Sequence, residues 1–495
     1  MSNQLTKDLE ILFESVIDSF EASNVVSREC SKFRPGDIEM QRAGDVVYRP
    51  QGYHLKTVSG LDLTSATANS LVQRQVPARF REPENVIYEL DAKEMRDPWH
   101  KEQAGKAAGR QLAAWVDNMI VDEVVARSTN VVTIKSASTG STLGEELWNA
   151  SADVDAMMLS IGVPQGGQRK AFYNPFNYKD LAKELGSRAY AVGATLTAYE
   201  KAQIPPVASF DSFRVDYAGA MKAGSATAVT LGGAVKHKVT AMDSNGAPTD
   251  NRQGDITVST ADVLAVGDAF TIAGVNSVHM IKKVDTGKPQ VFRVLAVNGT
   301  TVTISPKILP PDNADKASIP YQNVTANPVE NAAITILNKK AAASNIFFAE
   351  GSVELMYGKL AFPTGQGPQV MTARTEQGAT IIMAYQFDAK SGKTWTRFTT
   401  LAGASVLVPE FTGLVLANQY PRGFGPSFFL EIEMSQIMLY KPGSMITCGP
   451  HSLDYIIVDD EEVKSHLKKG WVKTPEETAT KQKVAKAEED GENEG

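Results

Sequence analysis

Six histidines, His54, His100, His237, His279, His451 and His466, are the side chains through which this chain could ligate a metal or move a proton near neutral pH. They are scattered, and none has a second ligand at metal spacing, so neither a zinc site nor a histidine-centred catalytic cluster follows. Cys448 lies near His451 in a Gly-Pro turn, which reads as incidental proximity rather than a nucleophile and its base. The segment SGKT, residues 391–394, ends like a phosphate-binding loop, but the glycine required five residues before Gly392 is Phe387, so the segment reads as a turn. Asp285-Thr286-Gly287 has the letters of an aspartic protease, yet Lys288-Pro289 follows and no second copy exists to share the proton. It reads as a β-turn. TGQG, residues 364–367, lacks the third glycine and the strand-turn-helix setting of a dinucleotide site. No catalytic residue, cofactor or metal ligand is assigned, and an enzyme has no positive support.

One further stretch admits chemistry. In MDSNGAPTDNR, residues 242–252, the oxygens of Asp243 and Asn245 followed by Gly246 begin like a calcium loop. No bidentate Glu follows at the right distance and no helix flanks it, so a hairpin tip or a hook for another molecule are the competing readings.

At 495 residues with 42% hydrophobic and 22% charged side chains, the chain has the composition of a soluble globular protein and the length for several domains. A net charge of −7 excludes a protein that coats nucleic acid by neutralising phosphates. Residues 476–495 carry seven acids and three bases, so the remaining body is nearly neutral. Cys30 and Cys448, far apart, form no disulfide framework, which fits a reducing cytoplasm. Acids interrupt the apolar positions of the first twenty residues, so they do not read as a signal peptide, and no apolar run reaches membrane-spanning length.

The elements follow from periodicity. Leu9, Leu12, Phe13, Val16, Ile17 and Phe20 recur at helical spacing after Thr6, predicting an amphipathic helix over 7–21 whose other face carries Glu10, Glu14 and Asp18. Alternation predicts strands at 45–50 and 85–92, separated by a polar, arginine-dotted loop too long for a compact domain without a partner. Asp97 as cap and Pro98 at the first position open a helix running to Arg127, a rod of about 45 Å. Its buried line, Ala108, Leu112, Trp115, Met119 and Ile120, is small at one end, allowing close backbone approach there. A helix over 145–160 follows, then a strand, a break at Asn174-Pro175 and a helix. From about 224 to 320, short Gly-, Thr- and Val-rich strands with Asn298-Gly299 as the strongest hairpin signal predict a small β-barrel or sandwich inserted into the mixed α and β texture around it. After a sheet-like stretch ending at 405–416, LDYIIV predicts a strand and Asp459 or Asp460 caps a helix ending at Gly470, with a disordered tail beyond Pro475.

That order, with EMQRAGDVVYRP, LDLT (61–64), EPENVIYELDAKEMRD, FYNPFNYKDLAKEL, DNRQGDITVS, GDAFTIAGV and NIFFAEGSVEL, resembles the major coat proteins of short-tailed Salmonella-type phages, the P-twenty-two-like family, over about residues 1–418. The resemblance implies an α+β Hong Kong phage-type capsid fold. It places an N-terminal arm and first strand at 1–50, an extended loop (E-loop) at 51–82 and a P domain with a spine helix over 83–221. An inserted β-barrel follows at 222–335, then a return through the P and A domains at 336–418. It implies copies of the chain closing as hexamers and pentamers into an icosahedral head around double-stranded DNA without sequence-specific binding, with a scaffolding protein, a portal protein and no membrane. Assembly would take place in the host cytoplasm. It also makes the 242–252 tip a loop reaching an adjacent capsomer through Asp243, Asn245, Asp250 and Arg252, against the alternative of solvated turn residues. Glu14 and Asp18 would dock a basic helix of the scaffolding protein, and Arg74, Arg79 and Arg81 would make intersubunit contacts from the extended loop. Lys56, the only lysine of that loop, is not expected to cross-link. Residues 419–495 depart from the family and read as an appended module that braces or decorates the shell, or as a tolerated extension. Other readings are an encapsulin-like compartment, disfavoured because such shells lack the inserted domain, and an unrelated β-rich adhesin or tail component.

Overall fold

The computed structural model describes residues 3–35, 46–55, 57, 61, 64, 71–91, 93–134, 141–164, 167–187, 204–225, 228–243, 246, 248–313, 315–362, 368–417, 437–448, 451–458 and 471–472. The chain divides into two compact units, Met1–Gln419 and Tyr420–Gly495.

The first unit is organised on one helix pair. Helix α1, Asn3–Ser23, starts earlier than expected and contains Thr6. It buries Leu9, Leu12, Phe13, Val16 and Phe20. A short helix α2, Val26–Glu29, follows. Helix α3, Pro98–Arg127, begins as its sequence prescribes, with the Asp97 carboxylate accepting the Trp99 N–H at 3.0 Å and Pro98 in the first turn. The small end of its apolar line lies against α1: a methyl on Gly105 would collide with Ser15 Oγ, and one on Gly109 with the Val16 carbonyl oxygen. Ser19 Oγ, donating to the Lys106 carbonyl at 2.8 Å, closes this contact. The buried surface of α3 is wider than the expected stripe. Ala113, Val116, Val121 and Val124 are fully buried as well, while Trp115 is only partly so, because α1 and the sheets cover the rod together. From α3 the buried Asp117 carboxylate accepts the N–H groups of Val25, Val26 and Ser27 at 2.8–3.1 Å, capping α2 from another element.

Around this pair stand three sheets. An antiparallel one, in the order Gln369–Arg374, Thr380–Asp388, Lys393–Thr400, Glu84–Asp91, packs Phe398 on Phe13 of α1. Ser391 and Gly392 of SGKT lie in the turn between two of its strands and Lys393 and Thr394 open the second, with Gly392 at φ +69° and its N–H on the Asp388 carbonyl at 2.9 Å. A small sheet joins Ser31–Phe33, Val353–Tyr357 and Ala402–Val406. A third contains Asn130–Ile134, Thr412–Ala417, Ala342–Ala349, Arg169–Tyr173 and Asp211–Arg214, with helices α4, Leu143–Ile161, and α5, Pro175–Ser187, beside it. The stretch 405–416 is therefore two strands in different sheets. A 3-10 turn at Pro409–Phe411 parts them, since a proline cannot donate to a ladder.

The expected barrel is an antiparallel sheet in the order Gly254–Thr257, Thr301–Ser305, Asp285–Asn298, Ala269–Val278, Ala333–Ile336, Val229–Thr230. Its ends meet: Leu231 pairs with Val258, and Ser259 N–H reaches the Thr230 carbonyl at 2.9 Å, so the sheet closes around its own apolar core. Asn298-Gly299 is the tip of one hairpin, with Gly299 at φ +61°. Asp285-Thr286-Gly287 is not a free turn but the bulged start of a strand, where Gly287 N–H bonds the Asp285 carboxylate at 2.8 Å. The chain leaves the body at Ala220–Met221 and returns at Ala342–Ala349, and these two strands pair with each other.

In the second unit, Ile437–Cys448 and His451–Val458 form an antiparallel hairpin that includes the LDYIIV strand. The helix expected after Asp459 or Asp460, the tail, His466, Lys56, Asn245, TGQG and the EMQRAG segment lie outside the described residues. Among the described residues no helix is long and apolar enough to cross a membrane.

Candidate assembly surfaces

The described residues of the 242–252 segment pair as a hairpin does. Met242 pairs with Pro248, Thr249 N–H reaches the Ala241 carbonyl at 3.2 Å, and Gly246, at φ +80°, donates to the Asp243 carbonyl at 3.1 Å. No group of three His, Cys, Asp or Glu side chains that could hold a metal occurs among the described residues. The two charged residues at its foot turn inward. Arg252 and Asp250 pair at 2.8 Å with side chains only 3% and 7% exposed, and Arg252 Nη1 donates to the Val406 carbonyl at 2.5 Å. Burial works to raise the Asp250 pKa, but the hydrogen bonds and charge of Arg252 prevail and hold it below the ordinary carboxylate value. The geometry thus gives Asp250 and Arg252 an intramolecular task, tying the barrel to the strand Ala402–Val406. Asp243 stands exposed at the tip.

The extended loop is anchored at its base and leaves apolar side chains outside. Val46–Pro50 and Gln75–Arg79 pair antiparallel, and Gln51 N–H on the Arg74 carbonyl at 3.0 Å continues the ladder. Arg49 grips Glu354 with two bonds of 2.6 and 2.9 Å while its guanidinium stacks 3.5 Å from the centroid of Phe33. Gln75 bridges Asp250, so the loop's return strand also touches the foot of the hairpin tip. Beyond this base, Tyr53, Leu55, Leu61 and Leu71 are 53%, 71%, 105% and 57% exposed. The three arginines divide: Arg74 turns in over the Tyr321 ring at 4.2 Å, whereas Arg79 and Arg81 are exposed. Arg81 N–H is held by the Ala402 carbonyl at 3.0 Å.

On α1, the face turned away from α3 presents Glu10, Glu14 and Asp18, all exposed, around Ile11. Acids beside an exposed apolar side chain suit a basic amphipathic helix, which would bury Ile11 and pair its cations in one docking event.

Sequence reasoning missed Arg293. It is fully buried, donating to the carbonyls of Val125 at 2.6 Å, Ala126 at 3.3 Å and Gly267 at 2.9 Å. The barrel therefore supplies a cation to the C-terminus of α3, where the helix dipole and unpaired carbonyls receive it best. Burial pushes its guanidinium pKa down to about 10, with Asp268 opposing. The signal was available: Phe292 and Val294 enter the barrel core while Val291 joins the body core, so the strand is covered on both faces. A charged residue inside such an apolar run must have a buried partner.

A family model described as P22 coat protein, gene protein 5, matches residues 1–417. The coat protein I-domain of CUS-3 is 69% identical, over 23% of this chain and 100% of that one, with a TM-score of 0.20. The capsid of cyanophage P-SCSP1u is 12% identical, over 79% of this chain and 86% of that one, at TM-score 0.39. A virus-like particle from Pyrococcus furiosus is 9% identical, over 82% of this chain and 98% of that one, at TM-score 0.33.

Proposed function

The chain belongs to the P22 coat protein family, and from that membership we propose how its surfaces build a shell. It is the major capsid protein of a tailed phage, and it self-assembles into the icosahedral shell of the virion head. An encapsulin-like compartment is less supported, because the match runs through the coat family for most of the chain.

Assembly proceeds in the host cytoplasm with a separate scaffolding protein and a portal, and hexamers and pentamers close around double-stranded DNA. The observation that supports this best is the anchored loop with four exposed apolar side chains, which gain burial only from a neighbouring subunit. The closed barrel, read as the inserted domain, offers its exposed Asp243 as the contact toward an adjacent capsomer, with Arg79 and Arg81 as contacts from the loop. The nearly neutral body encloses DNA without holding it. Glu14 and Asp18 receive a basic helix of the scaffolding protein.

Co-expression with that scaffolding protein, read by electron microscopy, tests the reading. The parent chain gives spherical shells, and the charge-reversed pair Glu14→Lys and Asp18→Lys gives folded subunits without shells. Parent subunits that stay monomeric with the scaffold, or reversed variants that assemble at parental yield, would overturn it.

A further inference from the structure

Between the base of the extended loop, the barrel and the turn at Pro409–Phe411 lies a cavity of about 220 Å³. That is far more than one water needs. Four cations, Arg74, Arg252, Lys283 and Lys307, line it together with His54, and among the described residues Glu410 is the only acid in its wall. Asp250, behind Arg252, neutralises that guanidinium. Among the described residues the other three cations hydrogen-bond to carbonyls and an amide rather than to carboxylates, while Glu410 acts on Arg74, and Asp250 and Asp255 on Lys307, through charge alone. Arg74 Nη2 donates to the Gly52 carbonyl at 3.0 Å, Lys283 Nζ to the Gln322 carbonyl at 3.0 Å, and Lys307 Nζ to the Lys238 carbonyl and Asn251 Oδ1, each at 3.3 Å.

Buried cations concentrated this way are costly, and the structure records the cost. The Nε–H of Arg74 is buried and has no acceptor among the described residues. Burial, and then the charge of Arg74, press the Lys283 ammonium down to about 8. Burial followed by Arg74 and Lys283 press His54 down to about 4, leaving a neutral imidazole in the wall. Glu410 offsets Arg74 only in part, since burial raises its own pKa despite Arg74 and Arg252. The cations outnumber the acids that face them, and a mainly positive cleft with low-dielectric walls concentrates an anion.

We propose that the cavity binds a small tetrahedral oxyanion of the phosphate class, held between Arg74, Lys283 and Lys307, and that the bound ion pins the base of the extended loop to the barrel. Arg74 belongs to the loop, Lys283 and Lys307 to the barrel, so one ligand ties the two parts. A DNA backbone offers the same chemistry, but an intact duplex is far wider than this cavity. The site is therefore one for a free ion. The inference goes beyond the shell reading and holds for a single subunit, so it survives if the assembly assignments fail.

The test titrates inorganic phosphate into the full-length subunit at fixed ionic strength, with chloride as the balancing salt, and follows the thermal midpoint. Phosphate raises the midpoint with saturation, as expected of a ligand for the folded state, and duplex DNA at equal phosphate concentration does not. Lys283→Met and Lys307→Met each weaken the phosphate response roughly tenfold or more. The effect in the parent also declines as pH rises above about 8, where Lys283 loses its charge between Arg74, Lys307 and Glu410. A phosphate response equal to that of chloride, an equal response from duplex DNA, or full retention in both variants overturns the proposal. If neither variant folds, phosphorus NMR decides with the parent alone: line broadening of phosphate, relieved by sulfate and not by chloride, supports the site, and no broadening removes it.

Discussion

The barrel and the extended loop are both excursions from the same body, and they solve opposite problems. The barrel closes its ladder, fills its own core and is docked through Arg293 on the end of α3 and Arg252 on Val406. The loop has a paired base but displays leucines to solvent. The difference shows where this chain keeps its incompleteness. A region with a full core can be held by polar pins, because its apolar residues already have cover of their own. A region without one must take apolar cover from a neighbour.

The largest way to break that contrast is to loosen the barrel. Arg293→Met removes three bonds to buried carbonyls, and carbonyls left without a donor keep their desolvation penalty. We expect a loss of about 2–4 kcal/mol, measured as a fall in the denaturant midpoint of the full chain. Proteolysis should also increase at the connections beside Met221 and Ala342. A variant as stable as the parent would mean that apolar contact alone docks the barrel.

Arg293 also marks the limit of what the sequence conveys. The rod from Pro98 to Arg127, its cap and the hairpin at Asn298-Gly299 are legible because each depends on residues close together in the chain. That the end of the rod near Ala108 is small and admits a backbone was legible for the same reason, whereas the glycines that meet α1 there, Gly105 and Gly109, come from the structure. Arg293 bonds to carbonyls 168 and 167 positions away, and nothing local identifies them. The same holds at the hairpin foot. Asp250 and Arg252 have the composition of a polar surface turn, and only the approach of Val406, 154 positions on, turns them inward. The split of 405–416 into two sheets was within reach, because Pro409 sits in the middle of the apparent strand.

A smaller effect probes the junction of the two regions through pH. His54 lies among Arg74, Lys283, Lys307, Glu410 and the Tyr321 ring, and its pKa is lowered to about 4 by burial first and then by Arg74 and Lys283. The folded state thus binds its proton more weakly than the unfolded chain does. Stability contributed by neutral His54 is present above about 6.5 and is lost as pH falls toward about 4. Glu410 has the opposite sign, because a raised carboxyl pKa favours the folded state in acid. The informative quantity is therefore the difference between parent and His54→Gln. With screening by solvent, His54→Gln should recover about 1 kcal/mol between these limits, seen as a flatter melting profile against pH. Parallel profiles would show that His54 is not held neutral at the junction.

The smallest change in subunit stability sharpens the contrast most. Leu55 and Leu61 make little contact within the subunit, being 71% and 105% exposed, so Leu55→Asp with Leu61→Asp should move the unfolding midpoint by less than about 0.5 kcal/mol. On the proposed assembly the same positions would gain their burial from a neighbour, and a carboxylate there would have to be desolvated without a partner. Because each subunit repeats the defect around every ring, a modest penalty per contact multiplies across the assembly. Sedimentation should show folded subunits and no shells from the double variant, under conditions in which the Arg293→Met chain, though less stable, still assembles at low temperature. The reverse result, shells from the loop variant and none from the barrel variant, would assign the missing surface to the barrel and make the loop an ornament of the isolated subunit.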